Sequence, residues 1–142
     1  MAVIKPKNTQ DQIKKEKERL VVEQFRDTYT KFPKGKLVLS ESPDFVIRTG
    51  PRYSIGIELV SLPYSGTSRS QEDIKHVLEL KQEKLPLYRK KRLDIYWLLI
   101  YTDSPGQISS PELNKIQDTR YQSEFHKVYL LLIPENKIII LK

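Results

Sequence analysis

The sequence predicts an α/β fold, a mixed central sheet of about five strands flanked by helices, and two observations carry that expectation. The elements read in the order helix, hairpin, helix, strand, short helix, two strands, an interleaving that builds one layered domain. The segment Tyr96–Tyr101 is apolar without alternation, as a strand covered on both faces requires. At 142 residues the chain is most simply one domain, long enough to bury a sizeable core.

Residues 1–10 lack periodicity and are expected to form a flexible N-terminus, leaving 11–142 as the domain. From Asp11 to Tyr29 the pattern is helical, with Leu20, Val21, Phe25 and Tyr29 giving an apolar side. Phe32-Pro33-Lys34-Gly35 ends it and turns the chain. A brief extended piece, Leu37–Leu39, leads into a hairpin with strands Asp44–Arg48 and Ser54–Ser61 about a turn at Thr49–Tyr53. Leu62–Thr67, containing Pro63 and Gly66, reads as a loop. Ser70 is placed as a helix N-cap with Asp73 three residues on, and the helix runs from Gln71 to Leu85, where Pro86 interrupts it. The apolar strand follows, then a turn at Asp103–Gln107. Ser110 as cap and Pro111 in the first turn start a short helix reaching Tyr121. Strands Lys127–Ile133 and Lys137–Leu141 follow, joined by Pro134-Glu135-Asn136.

Composition removes several chemistries. There is no cysteine, hence no disulfide, thiolate metal site or cysteine nucleophile, and a reducing cytoplasm is the expected location. The two histidines, His76 and His126, lack ligand spacing, which argues against a histidine zinc site. The apolar runs at Trp97–Ile100 and Tyr129–Ile133 are far too short for a bilayer, and the N-terminal lysines lack the apolar segment of a secretory signal. No membrane association is expected. Nor do the scattered glycines make a phosphate-cradling loop.

The net charge of +7, from 25 basic and 18 acidic residues, is compatible with nucleic acid, an anionic surface or simple solubility. The run Arg89-Lys90-Lys91-Arg92 after Tyr88 suits contact with a phosphate backbone, with a solvated face as the plain alternative. Lys14, Lys15, Lys17 and Arg19 alternate with Glu16 and Glu18, the pattern of salt pairs along a helix face.

The hairpin carries the strongest chemical signal. Centred on Pro51, it sets Asp44 opposite Glu58, Phe45 opposite Ile57 and Val46 opposite Gly56. Alternation then groups Asp44, Val46, Arg48, Ser54, Gly56 and Glu58 on one face, with Phe45, Ile47, Ile55, Ile57 and Leu59 on the other. Directly opposed carboxylates destabilise a strand pair unless a cation joins them, and Mg²⁺ prefers such oxygen donors.

Pro43-Asp44 on one strand and Glu58-Leu59-Val60 on the next, within this element order, resemble the PD-(D/E)XK nuclease superfamily over roughly Asp11 to Tyr101. The resemblance implies a restriction-endonuclease-like three-layer fold and a small metal-dependent nuclease that hydrolyses phosphodiester bonds of DNA or RNA. Asp44, Glu58 and the main-chain carbonyl of Leu59 would hold Mg²⁺ or Mn²⁺, and nucleic acid is the implied partner. Pairing of two copies is a further expectation, because small nuclease domains often cut both strands as pairs.

Val60 stands where the family has lysine. Either the chain is a degenerate, non-cleaving module that binds nucleic acid or a protein partner, or the lysine arrives from elsewhere. At about 100° per residue, Ile74, Val77, Leu78 and Leu85 define an apolar stripe on the second helix, and Lys81 falls in its middle. Lys81 is therefore the candidate for the missing cation, against the alternative of a lysine that snorkels outward. Glu18 lies on the inward side of the first helix, where the family often carries an acid. It would ligate or support the metal, unless it only pairs with Lys14 or Lys15.

Overall fold

Alternation along the strands sorts the apolar side chains onto two sheet faces, and helices close both. The computed structural model describes residues 9–62, 71–103 and 108–142. Six strands run in sequence order: β1 (Lys36–Leu39), β2 (Phe45–Gly50), β3 (Tyr53–Ser61), β4 (Ile95–Thr102), β5 (Lys127–Leu132) and β6 (Lys137–Ile140). β1 through β3 are antiparallel, β3, β4 and β5 are mutually parallel, and β6 returns antiparallel to β5. The sixth strand is the brief piece before the hairpin. It pairs along its length with β2, from Lys36–Arg48 to Leu39–Phe45.

Helix α1 (Thr9–Thr28) covers one face, laying Val21, Val22 and Phe25 on Ile47, Ile57, Leu99 and Leu131. An aromatic cluster of Phe25, Tyr29, Phe32, Trp97 and Tyr129 fixes this helix, with Phe25 and Tyr129 ring centroids 5.0 Å apart. The opposite face carries α2 (Gln71–Gln82), α3 (Leu85–Tyr88) and α4 (Ser110–Asp118), packed on Leu98, Ile100, Val128 and Leu130. Both parallel crossovers thus bring their helices to one face, as crossovers of one hand do. β4 lies between the layers with Tyr96 to Thr102 buried, and each fully buried Leu or Ile there contributes about 1.5–3 kcal/mol.

Several local expectations shift. The apolar stripe of α1 is Val21, Val22 and Phe25, and Leu20 points to solvent, because the stripe is rotated by one position toward Glu18. Thr9 and Gln10 already belong to the helix, and the rest of the expected flexible N-terminus lies outside the described residues. α2 stops at Gln82, and Pro86 sits in the first turn of α3, where its missing N–H is no loss. The cap of α4 is Ser109, whose Oγ accepts from the Glu112 N–H at 3.2 Å, and that helix ends at Asp118. The Ser70 cap, the loop from Pro63 to Thr67 and the turn beyond Asp103 lie outside the described residues. Among the described residues, no helix is long and apolar enough to cross a membrane.

Candidate site at the acidic hairpin

From Phe45 to Arg48 the hairpin register is symmetric about Pro51: Phe45 pairs with Ile57, Val46 with Gly56, Ile47 with Ile55 and Arg48 with Ser54. Nearer the turn it shifts: Gly50 pairs with Tyr53, and the expected turn at Thr49–Tyr53 narrows to Pro51 and Arg52. One position beyond the Phe45–Ile57 pair, β2 has ended, and the two carboxylates take over from the main-chain ladder. The Asp44 N–H donates to Glu58 Oε1 at 3.2 Å, and the Leu59 N–H donates to Asp44 Oδ2 at 2.9 Å. The N–H and C=O of a paired strand residue face the same neighbour, so the Leu59 carbonyl faces the edge occupied by Asp44. Gly56 makes room for this entry. A Cβ there would lie 2.6 Å from Pro43 Cγ and 2.8 Å from Leu93 Cδ1, so only glycine lets Pro43 sit on β3 and deliver Asp44 beside Glu58.

Glu58 is 6 % exposed and fully engaged. Lys81 Nζ donates to its Oε2 at 2.8 Å, and the Tyr88 hydroxyl donates to the same oxygen at 2.6 Å. Lys81 comes from the core-facing stripe of α2 and forms a largely buried ion pair. Val60, two residues after Glu58 and on the same face, packs half-buried against the same core. Lys75 meets Glu72 at 3.7 Å on the surface.

Two carboxylates at this range cannot both stay charged without help. Asp44 is pushed up from 3.8 to about 8, first by burial and then by the charge of Glu58, against the lowering effect of the Leu59 N–H. Tyr88 is raised by burial and by its bond to Glu58, and so remains a proton donor over the whole physiological range. Tyr101 on β4 is pushed up to about 12 by burial and by the charges of Glu18, Asp44 and Asp103.

Glu18 is 5 % exposed and approaches from the α1 side, where Asp44 and Tyr101 both feel its charge. Among the described residues it pairs with neither Lys14 nor Lys15; the Lys15 ammonium instead lies 3.4 Å from the Ser40 carbonyl. Nor, among the described residues, do three His, Cys, Asp or Glu side chains converge as a ligand group. Glu18 thus reaches Asp44 through its charge.

Of the basic run, Arg89–Lys91 forms a 3₁₀ turn after α3, and Arg92 caps it in the left-handed region at φ 54°. All four cations are exposed. Lys91 and Arg92 share a cleft of about 310 Å³ with Arg48, Ser40, Ser54 and Leu93, whereas Arg89 and Lys90 do not line it.

The donor set suits a hard divalent cation: two carboxylates and a main-chain carbonyl, all oxygen, with Lys81 balancing Glu58 and with Asp44, pushed up by burial and by Glu58, ready to exchange its proton for a cation. Tyr88 was not foreseen as part of the site. A signal existed, because Ile74, Val77, Leu78, Lys81, Leu85 and Tyr88 keep helical spacing, but Pro86 hid the continuity of that stripe.

Comparison of the chain with protein-family profiles, with curated proteins and with solved structures gives no match.

Proposed function

We propose that this chain is a small metal-dependent nuclease that hydrolyses phosphodiester bonds of DNA or RNA. The observation that carries this reading is the assembly around Glu58: Asp44 against it across the hairpin end, and Lys81 on its Oε2 at 2.8 Å. Asp44, Glu58 and the Leu59 carbonyl would hold Mg²⁺ or Mn²⁺, which when bound lowers the pKa of water and draws in a phosphate. Lys81 brings a fixed positive charge to the face of β3 where Val60 stands in the family's lysine position, and so can offset charge developing on the phosphate. Tyr88 holds Glu58 in one orientation, and Leu59 does the same for Asp44. The Arg89–Arg92 run supplies a basic approach to nucleic acid.

A second reading is favoured by one observation. Both donors act on a single Glu58 oxygen, so the cation at Lys81 is already committed to an acid. A chain in which that commitment is permanent would bind nucleic acid without cutting it.

The test is incubation of the protein with single- and double-stranded DNA and RNA, with Mg²⁺, with Mn²⁺ and with chelator, beside an Asp44→Ala/Glu58→Ala double variant. Metal-dependent cleavage absent from the variant is the expected result. Binding that survives chelator and mutation without any cleavage supports the non-cleaving module, and absence of both binding and cleavage overturns both readings.

A further inference from the structure

We propose that Ser40, in the loop that carries Asp44, marks an anion subsite where Lys15 and Lys91 hold a backbone phosphate of a nucleic-acid strand, with Arg48 and Arg92 extending it. The inference rests on the nucleic-acid half of the proposed function and is independent of cleavage.

Two cations from different layers converge on this one neutral residue. Lys15 comes from α1 and places Nζ 3.4 Å from the Ser40 carbonyl. Lys91, from the turn after α3, donates to the Ser40 hydroxyl. The Ser40 N–H in turn donates to the Asp44 carbonyl at 2.8 Å, which ties the point of convergence to the acid pair. Like charges brought to one residue repel. Asp11, Glu16 and Glu41 line the same hollow as Lys15, yet its ammonium turns to the Ser40 carbonyl. By contrast, Lys17 meets Asp103 at 3.1 Å, and Arg19 meets both Glu16 and Glu23. Among the described residues, Lys15, Lys91, Arg48 and Arg92 enter no ion pair. What sets Lys15 and Lys91 apart is their convergence on Ser40, where an anion would meet both.

The strand geometry gives the ligand a direction. Arg48 shares the face of Asp44, four residues along at roughly 3.3 Å each, or about 13 Å away. That separation spans several consecutive phosphates at about 3.4 Å of helix axis per nucleotide. The cleft on this side is lined by Arg48, Lys91 and Arg92 over an apolar floor that includes Leu93. The hollow on the other side of Ser40 is lined by Lys15 and Arg19 together with Asp11, Glu16 and Glu41. Lys15 thus stands at the boundary between an acidic side, which repels a polyanion, and the basic cleft. A strand leaving the acid pair therefore passes Ser40 and runs toward Arg48. Arg89 and Lys90, outside the cleft, contribute only long-range attraction.

The test measures affinity for a labelled single-stranded oligonucleotide and its duplex in chelator, across a salt series. Lys15→Ala/Lys91→Ala and Arg48→Ala/Arg92→Ala are compared with Lys127→Ala/Lys137→Ala at the far sheet edge. Lys15→Gln/Lys91→Gln keeps polar contact with Ser40 while removing charge, and thermal midpoints check that each variant folds. For each cleft pair, including the glutamine version, at least a tenfold loss is expected. The slope of log affinity against log salt should become shallower by roughly 0.7–0.9 for each phosphate whose contact goes. Loss no greater than in the Lys127/Lys137 control, or no binding of either oligonucleotide by the wild type, overturns the subsite. Inorganic phosphate that displaces the strand at equal phosphate concentration would assign the subsite to free phosphate and overturn the strand assignment. Charge-dependent binding without any cleavage would leave the subsite standing and remove the nuclease reading; cleavage with binding indifferent to these lysines would do the reverse.

Discussion

Lys81 and Glu58 form a buried ion pair, Nζ to Oε2 at 2.8 Å, between α2 and the end of β3. The two residues are 23 apart in sequence, yet each sits where its own periodicity places it: Lys81 on an apolar helical stripe, Glu58 on the β3 face that α2 and α3 cover. Val60 shares the face of Glu58, so a lysine at position 60 would start from the same side of β3 as this pair.

Lys81→Met should therefore remove the site's fixed cation and strand a buried carboxylate. The expected loss is about 3 kcal/mol in urea unfolding, together with loss of any metal-dependent cleavage. Adding Val60→Lys to that variant should recover stability and turnover, because the new ammonium starts from the same face beside Glu58. A double variant as unstable and inactive as Lys81→Met alone would show that the two positions are not interchangeable.

Tyr88→Phe deletes one donor from Glu58 Oε2 and keeps the ring in the core. A hydrogen bond to a charged group contributes about 1.5–3 kcal/mol, and one between neutral groups about 1 kcal/mol. Tyr121→Phe is the matched control, since its buried hydroxyl donates to the Ile116 carbonyl at 3.1 Å. Denaturant midpoints should rank Tyr88→Phe below Tyr121→Phe; the opposite order would remove the special role of the Glu58 contact.

Asp44 gives the metal-free protein a signed pH dependence. Its folded value of about 8 lies above the ordinary 3.8, so between those values the folded chain binds a proton that the unfolded chain has released. That contribution is fully present below about pH 4 and is lost as pH rises through about 8. Asp44→Asn mimics the protonated acid, can still accept from the Leu59 N–H, and has no such loss. The melting-temperature difference, variant minus wild type, should grow steadily from pH 4 to pH 8 in chelator. A flat difference would show that Asp44 titrates normally.

Two glycines test the packing that aims the site. At Gly35 a Cβ would fall 2.5 Å from the Arg48 carbonyl oxygen, main chain that cannot give way cheaply. At Gly56 it would strike Pro43 and Leu93 side chains. Both alanine variants should lose about 1–3 kcal/mol, as overpacked sites do. Only Gly56→Ala should also impair cleavage beyond its loss of stability, because Pro43 precedes Asp44. Equal activity loss at both sites would make the effect one of folding alone.

The order of elements, the division of the hairpin into an acid face and an apolar face, its symmetric register and the inward aspect of Lys81 were all legible in the residues. Each depends on spacings of two, three or four positions that a strand or helix imposes locally. The tertiary structure alone decided that β3 and β4 run parallel and that the extended piece before the hairpin is a full sixth strand. It also decided that Tyr88 shares the oxygen held by Lys81, and that Lys15 and Lys91 meet at Ser40. Those contacts join residues far apart in sequence across different layers of the sheet. They arise because the core closes on both faces at once and fixes the relative positions of α1, α3 and the hairpin, which no local period encodes.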